Sequence, residues 1–147
     1  MTVLLLGGTA EARALAERLI GCDVSVLSSL AGRVARPRLP VGPVRIGGFG
    51  GVDGLRDWLV EHEASAVVDA THPFAERISA HAATACRSGG VSLWFLSSRS
   101  GGWGLVEGLV LEHGVEDVAS ASGEADEGGV VFLAFGAFAV VVGAASA

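Results

Sequence analysis

The chain has 147 residues, half of them hydrophobic and 18% charged, with 22 glycines and a formal net charge of −6. That length suits one domain with a real core. The composition excludes a disordered chain, and the lack of any basic stripe excludes a nucleic-acid footprint. All ten basic residues are arginines and all precede residue 101, whereas residues 101–147 carry seven acidic side chains and no basic one. A small anionic ligand would therefore be met in the first part of the chain, where Arg33, Arg36, Arg38 and Arg45 cluster.

The first element is a short apolar strand, Val3–Leu6, which runs into Gly7-Gly8-Thr9-Ala10-Glu11. Ala12, Leu15, Ala16 and Leu19 then recur at the spacing of one helix face. A turn with almost no side chains lets backbone N–H groups approach a ligand, and a helix N-terminus aimed at it favours phosphate. The spacing is not the dinucleotide fingerprint G-x-G-x-x-G. A glycine turn that merely closes a βα unit is the alternative.

A second strand over Val24–Leu27 is followed by Ser28-Ser29-Leu30-Ala31-Gly32-Arg33. In a dinucleotide fold the adenine ribose lies here; an acidic residue accepts from its 2′-hydroxyl, and an arginine accommodates a 2′-phosphate. With serines and Arg33 and no acid nearby, the segment points to NADP(H) over NAD(H). The other reading of Arg33 is a solvated loop side chain.

Val44–Ile46 is a third strand and ends in Gly47-Gly48-Phe49-Gly50-Gly51. So many glycines lower stability through chain entropy, which a close backbone approach by Gly48 and Gly50 to a ligand would compensate. Phe49 either packs on a bound ring or plugs the domain. Asp53 is expected to cap a helix bearing Leu55, Trp58 and Leu59 on one face.

Ala66–Asp69 forms a fourth strand that opens into Thr71-His72-Pro73-Phe74, and a helix follows with Ile78, Ala82 and Ala85 inward and Gly89-Gly90 at its end. Pro73 suits the first helical position and pushes His72 towards an extended conformation. Thr71 and His72 then project at the sheet edge, where His72 either donates a proton or hydrogen bond or serves the structure. Val91–Leu96 is the fifth strand. Beyond it, residues 97–108 read as a loop, 116–125 as a short helix, and Val130–Phe135 as a strand rather than part of a membrane span.

Alternating strands and helices imply an α/β fold: a doubly wound parallel sheet, Rossmann-like, in three layers. Such sheets bind ligands beyond the carboxyl ends of their strands, which predicts the loops at 7–11, 28–33, 47–51 and 70–74 along one edge. Cys22 and Cys86 lack metal-ligand spacing and read as reduced thiols of a cytoplasmic protein. No secretory signal, paired carboxylates or metal cluster is evident, so hydrolysis and metal catalysis are not expected.

Four segments in this order, LLLGGTAEARALA at 4–16, SSLAGRV at 28–34, RIGGFGGVDGL at 45–55 and VVDATHPFAERISAHAA at 67–83, resemble the precorrin-6A reductases, NADPH-dependent enzymes of cobalamin biosynthesis. The resemblance covers about residues 1–96 and implies reduction of a double bond in a tetrapyrrole (precorrin) substrate. It implies that Gly7, Gly8, Thr9, Ala10 and Glu11 hold the dinucleotide, with Ser28, Ser29 and Arg33 near its adenosine end. Gly48, Phe49, Gly50, Thr71 and Pro73 would border the nicotinamide and macrocycle, with His72 as the catalytic candidate. Other corrin-pathway enzymes are the implied partners, with no membrane and no nucleic acid. The chain is expected to form a single NADP(H)-binding domain over 1–147 with a diverged or truncated end from 97. A non-catalytic dinucleotide-binding or regulatory domain is the rival reading.

Overall fold

The computed structural model describes residues 2–33, 35–72, 74–99, 102–111, 114–120, 130–135 and 138–143, with side chains through residue 96. Five strands, β1 (Thr2–Leu6), β2 (Ser25–Leu30), β3 (Val44–Ile46), β4 (Ala64–Asp69) and β5 (Ser92–Arg99), pair in parallel in the order β3-β2-β1-β4-β5. Three helices join them: α1 (Ala10–Gly21) follows β1, α2 (Gly51–Glu61) follows β3, and α3 (Glu76–Gly89) follows β4.

Successive side chains of a strand point to opposite faces, and this divides the core in two. Val3, Leu5, Ala66 and Val68 cluster with Ala12, Leu15, Ala16 and Leu19 of α1. Leu4, Leu6 and Val67 cluster with Leu55 and Leu59 of α2 and with Ala82, Ala85 and Cys86 of α3. One helix therefore covers one face and two cover the other, which is the three-layer, Rossmann-like α/β arrangement implied by the sequence. Val3–Leu6 of β1 and Ala66–Val68 of β4 are apolar without a break because both faces of these strands are covered.

Strand order decides where a ligand can sit. From β1 the chain moves one way through α1 to β2; after β3 it crosses by α2 to the other side, so its direction reverses between β1 and β4. A crevice opens at such a reversal. The ladders continue past the strand ends: Gly7 N–H donates to Ser29 O (2.9 Å), Gly47 N–H to Leu30 O (2.8 Å) and Ala70 N–H to Leu6 O (2.9 Å). These bonds start the loops after β1, β2, β3 and β4 at one level.

Four expectations are corrected. β2 extends to Leu30, so Ser28 and Ser29 lie inside the strand, and the only ladder to β3 runs through Ser28, Ser29 and Leu30. Residues 97–99 and 102–108, expected in a loop, are strand: β5 continues to Arg99, and β6 (Gly102–Leu111) pairs antiparallel with it, while 100–101 lie outside the described residues. Residues 116–120 belong to a strand, β7 (Gly114–Ser120), antiparallel to β6, while 121–125 lie outside the described residues. Gly102, Gly104 and Gly108 interrupt the apolar pattern of β6, which is why it reads as a loop. Val130–Phe135 is a strand, β8, but it pairs with β9 (Phe138–Gly143) in a separate antiparallel sheet rather than joining the parallel one. Among the described residues, no helix is long and apolar enough to cross a membrane.

Candidate functional site

The turn after β1 is built from backbone. Gly8 adopts φ +114, a region costly for any residue with a Cβ, and a Cβ there would meet nothing within 4 Å. The conformation demands glycine while the space above it stays open. Thr9 follows as the N-cap of α1; its Oγ1 accepts from Ala12 N–H (3.1 Å) and donates to Ala70 O (2.8 Å). Thr9 thus fastens the first turn of α1 to the end of β4 across the reversal. Ala10 and Glu11, both exposed, occupy that first turn, where a carboxylate complements the helix dipole.

At the ends of β2 and β3 one arginine organises the backbone. Arg45 Nη1 donates to Ser29 Oγ (3.1 Å) and Gly47 O (2.9 Å), and Nη2 donates to Gly48 O (3.0 Å). Its guanidinium lies 3.8 Å from the centroid of the Phe49 ring. Phe49 meets Trp58 edge-on at 5.8 Å, and Trp58 stacks on His62 at 4.0 Å. Burial draws the Arg45 pKa below its ordinary value, though a guanidinium stays charged. Of the alternatives open for Phe49, packing within the domain is the one this geometry fills. Gly50, with φ +85, caps α2 through its backbone conformation and offers no side-chain bond; Asp53, expected as the cap, instead pairs with Arg56 at 3.2 Å.

At the end of β4, Asp69 is 6% exposed. Its Oδ1 accepts from Thr71 N–H (3.1 Å) and Thr71 Oγ1 (2.6 Å), a turn in which a carboxylate replaces a backbone acceptor. His72 is exposed; its Nδ1 accepts from Phe74 N–H at 3.3 Å, so a neutral ring carries its proton on Nε2. Phe74 is 86% exposed and lies against the His72 ring at 5.0 Å between centroids. Pro73 lies outside the described residues.

Ser28 completes the edge. It is 1% exposed, yet its hydroxyl has no hydrogen-bond partner, a state costing about 1–3 kcal/mol. Ser28 and Leu30 line a narrow cleft with Gly7, Gly8, Ala12 and Arg13 from one side and Arg38 and Pro40 from the other. Arg33, exposed as Arg38 is, does not line it. Asp69 and Arg13 were not among the residues expected from sequence, whereas Arg38 was noted as one of four clustered arginines suited to a small anion. The Asp-x-Thr spacing signals the Asp69 turn, but nothing local marks Arg13. An open glycine turn, a helix N-terminus, two arginines and a buried hydroxyl together offer hydrogen-bond donors and positive charge to an anionic group. No group of three or more His, Cys, Asp or Glu among the described residues is placed to hold a metal.

Comparison with known proteins gives a consistent set of likenesses. The family model Precorrin-6x reductase CbiJ/CobK matches residues 2–142. A precorrin-6A reductase of Mycobacterium tuberculosis (strain CDC 1551 / Oshkosh) is 53% identical over 135 residues, covering 91% of this chain and 53% of that protein. One from Rhodococcus erythropolis is 51% identical over 121 residues, covering 82% of this chain and 48% of its own length. A solved structure titled CobK precorrin-6A reductase superposes with a TM-score of 0.66 at 45% identity, covering 67% of this chain and 39% of that one. The chain spans about half the length of the curated relatives it matches.

Proposed function

The chain belongs to the Precorrin-6x reductase CbiJ/CobK family, and from that membership we propose that it carries the NADPH-binding region of a reductase acting on a double bond of the precorrin-6A macrocycle in cobalamin biosynthesis. One observation carries this reading: at the reversal between β1 and β4, the open turn at Gly8 and the N-terminus of α1 adjoin the unpartnered Ser28 hydroxyl. When bound, NADPH supplies the hydride.

The chain's own residues supply position and polarity. Backbone N–H groups from Gly8 to Glu11 face the phosphates, with Gly7 tied into the ladder by its bond to Ser29 O and Thr9 holding the turn rigid through Ala70. Ser28, Ser29 and Arg33 stand at the adenosine end. Gly48, Phe49 and Gly50 form a wall that Arg45 fixes, and Thr71 borders the reacting ring. His72 presents its Nε2 proton to the substrate. A macrocycle bearing many carboxylates suits an edge supplied with arginines. The cysteine thiols, Cys22 exposed and Cys86 buried, suit a reducing compartment, and the cytoplasm is the location proposed. Other enzymes of the corrin pathway would pass the substrate on.

Calorimetric titration with NADPH, and with NADH as control, tests the reading. Preferential binding of NADPH is expected, and Gly8→Val should abolish it while the far-UV spectrum is retained. Absence of binding to both nucleotides overturns the cofactor assignment. Consumption of NADPH in the presence of precorrin-6A then separates a reductase from a non-catalytic nucleotide-binding domain, and His72→Ala should slow that consumption without weakening NADPH binding.

A further inference from the structure

We propose that the cleft between the first turn of α1 and the 31–43 connection seats the 2′-phosphate of the dinucleotide, and that Arg13 and Arg38, not Arg33, select NADPH over NADH. The inference rests on the cofactor reading above and assigns the residues that discriminate. The floor of the cleft is Ser28 and Leu30, at the carboxyl end of β2. In a doubly wound sheet that is where the ribose 2′ substituent falls.

Three features point to an anion there. Arg13 comes from α1 and Arg38 from the connection, so two segments bring guanidinium groups to one cleft. Neither arginine takes part in an ion pair with another described residue. Ser28, which lines the same cleft, holds a buried hydroxyl with no hydrogen-bond partner among the described residues. A phosphate monoester offers several oxygens, enough to accept from two planar guanidinium forks and one hydroxyl.

The connection is held in place for this role. Pro37 and Pro40 bracket Arg38 and fix local backbone angles, and Gly42 sits so close to Ile20 of α1 that a Cβ would press on that side chain. Arg33 follows Gly32, which abuts Ile46 at the end of β3. That places the neighbourhood of Arg33 on the β3 side and leaves it out of the cleft lining.

The test is calorimetry on the full chain and its Arg13→Ala, Arg38→Ala, Arg33→Ala and Ser28→Ala variants, each with NADPH, NADH, adenosine 2′,5′-bisphosphate and AMP. Loss of a charged hydrogen bond should weaken NADPH and the bisphosphate about tenfold or more in Arg13→Ala and Arg38→Ala. NADH and AMP should be unaffected, and Arg33→Ala should keep the wild-type preference. Ser28→Ala should weaken NADPH several-fold while its melting temperature holds or rises, because an unpartnered hydroxyl is removed. Equal losses for NADPH and NADH would put the arginines on the pyrophosphate, and loss of preference in Arg33→Ala alone would return selectivity to that residue; either overturns the assignment while leaving the cofactor reading intact. Failure of the unmodified chain to bind any dinucleotide overturns both.

Discussion

The hydroxyl of Thr9 donates to the carbonyl oxygen of Ala70 at 2.8 Å, joining residues 61 positions apart across the reversal between β1 and β4. The Oγ1 of Thr9 also caps α1 by accepting from Ala12 N–H. Removing it in Thr9→Ala takes away a helix cap, worth about 1 kcal/mol, and a long-range bond of similar net worth. The expected loss is about 2 kcal/mol in urea denaturation, with most of it recovered in Thr9→Ser. A Thr9→Ala protein of unchanged stability would mean the bridge contributes nothing.

Gly54 reverses a familiar rule. Inside a helix, Gly→Ala ordinarily stabilises by about 1 kcal/mol. Here a Cβ would run into the carbonyl oxygen of Phe49, because the glycine loop folds back on the helix it precedes. Gly54→Ala should therefore destabilise, by about 1–3 kcal/mol as in other overpacked sites. Thermal melts of the two proteins give the sign directly.

Arg45 holds two carbonyls, a serine hydroxyl and an aromatic face at once. Arg45→Ala should cost about 2 kcal/mol and raise amide exchange across residues 47–51. Arg45→Lys should recover little, because a point donor cannot reproduce a planar fork. Full protection of the loop in the lysine variant would show that charge alone suffices.

The two cysteines should behave oppositely. Cys22 is exposed, whereas burial pushes the Cys86 thiol up to about 12 from an ordinary value of 9.0. A thiol reagent at mildly alkaline pH should label Cys22 in the folded protein and reach Cys86 only after denaturation. The raised value also sets a stability trend. Below pH 9 the thiol is protonated folded and unfolded alike, and its contribution is intact. From about 9 towards 12 only the unfolded thiol loses its proton, so stability falls as pH rises. Cys86→Ala should flatten the fall in urea midpoint over that range.

The N-terminal architecture was legible because apolar periodicity and core coincide there. The stripe Ala12, Leu15, Ala16 and Leu19 is the stripe buried in α1, and Val3–Leu6 is the apolar centre of β1. Ser28 and Ser29 escaped because serine reads as loop, whereas here one is hydrogen-bonded to Arg45 and the other lies buried beside the cleft. β6 escaped because glycines interrupt its apolar pattern, and β7, at the end of the strand order, because an edge strand follows its neighbour more than intrinsic preference. At the site, the Gly7–Gly8 turn announces itself through composition. Arg13 does not, and Arg38 shows only as one of a cluster of arginines, since the return of the 35–43 connection over α1 is what brings the two together.

The shortness of β3 has a consequence for self-association. Its hydrogen-bonding ladder is three residues long, and it forms one margin of the sheet. A second copy adding a strand there would find few free backbone groups to template on, and the next positions are the glycines that Arg45 already engages. That margin is therefore poorly suited to growing a larger intermolecular sheet, a protection by brevity rather than by charge.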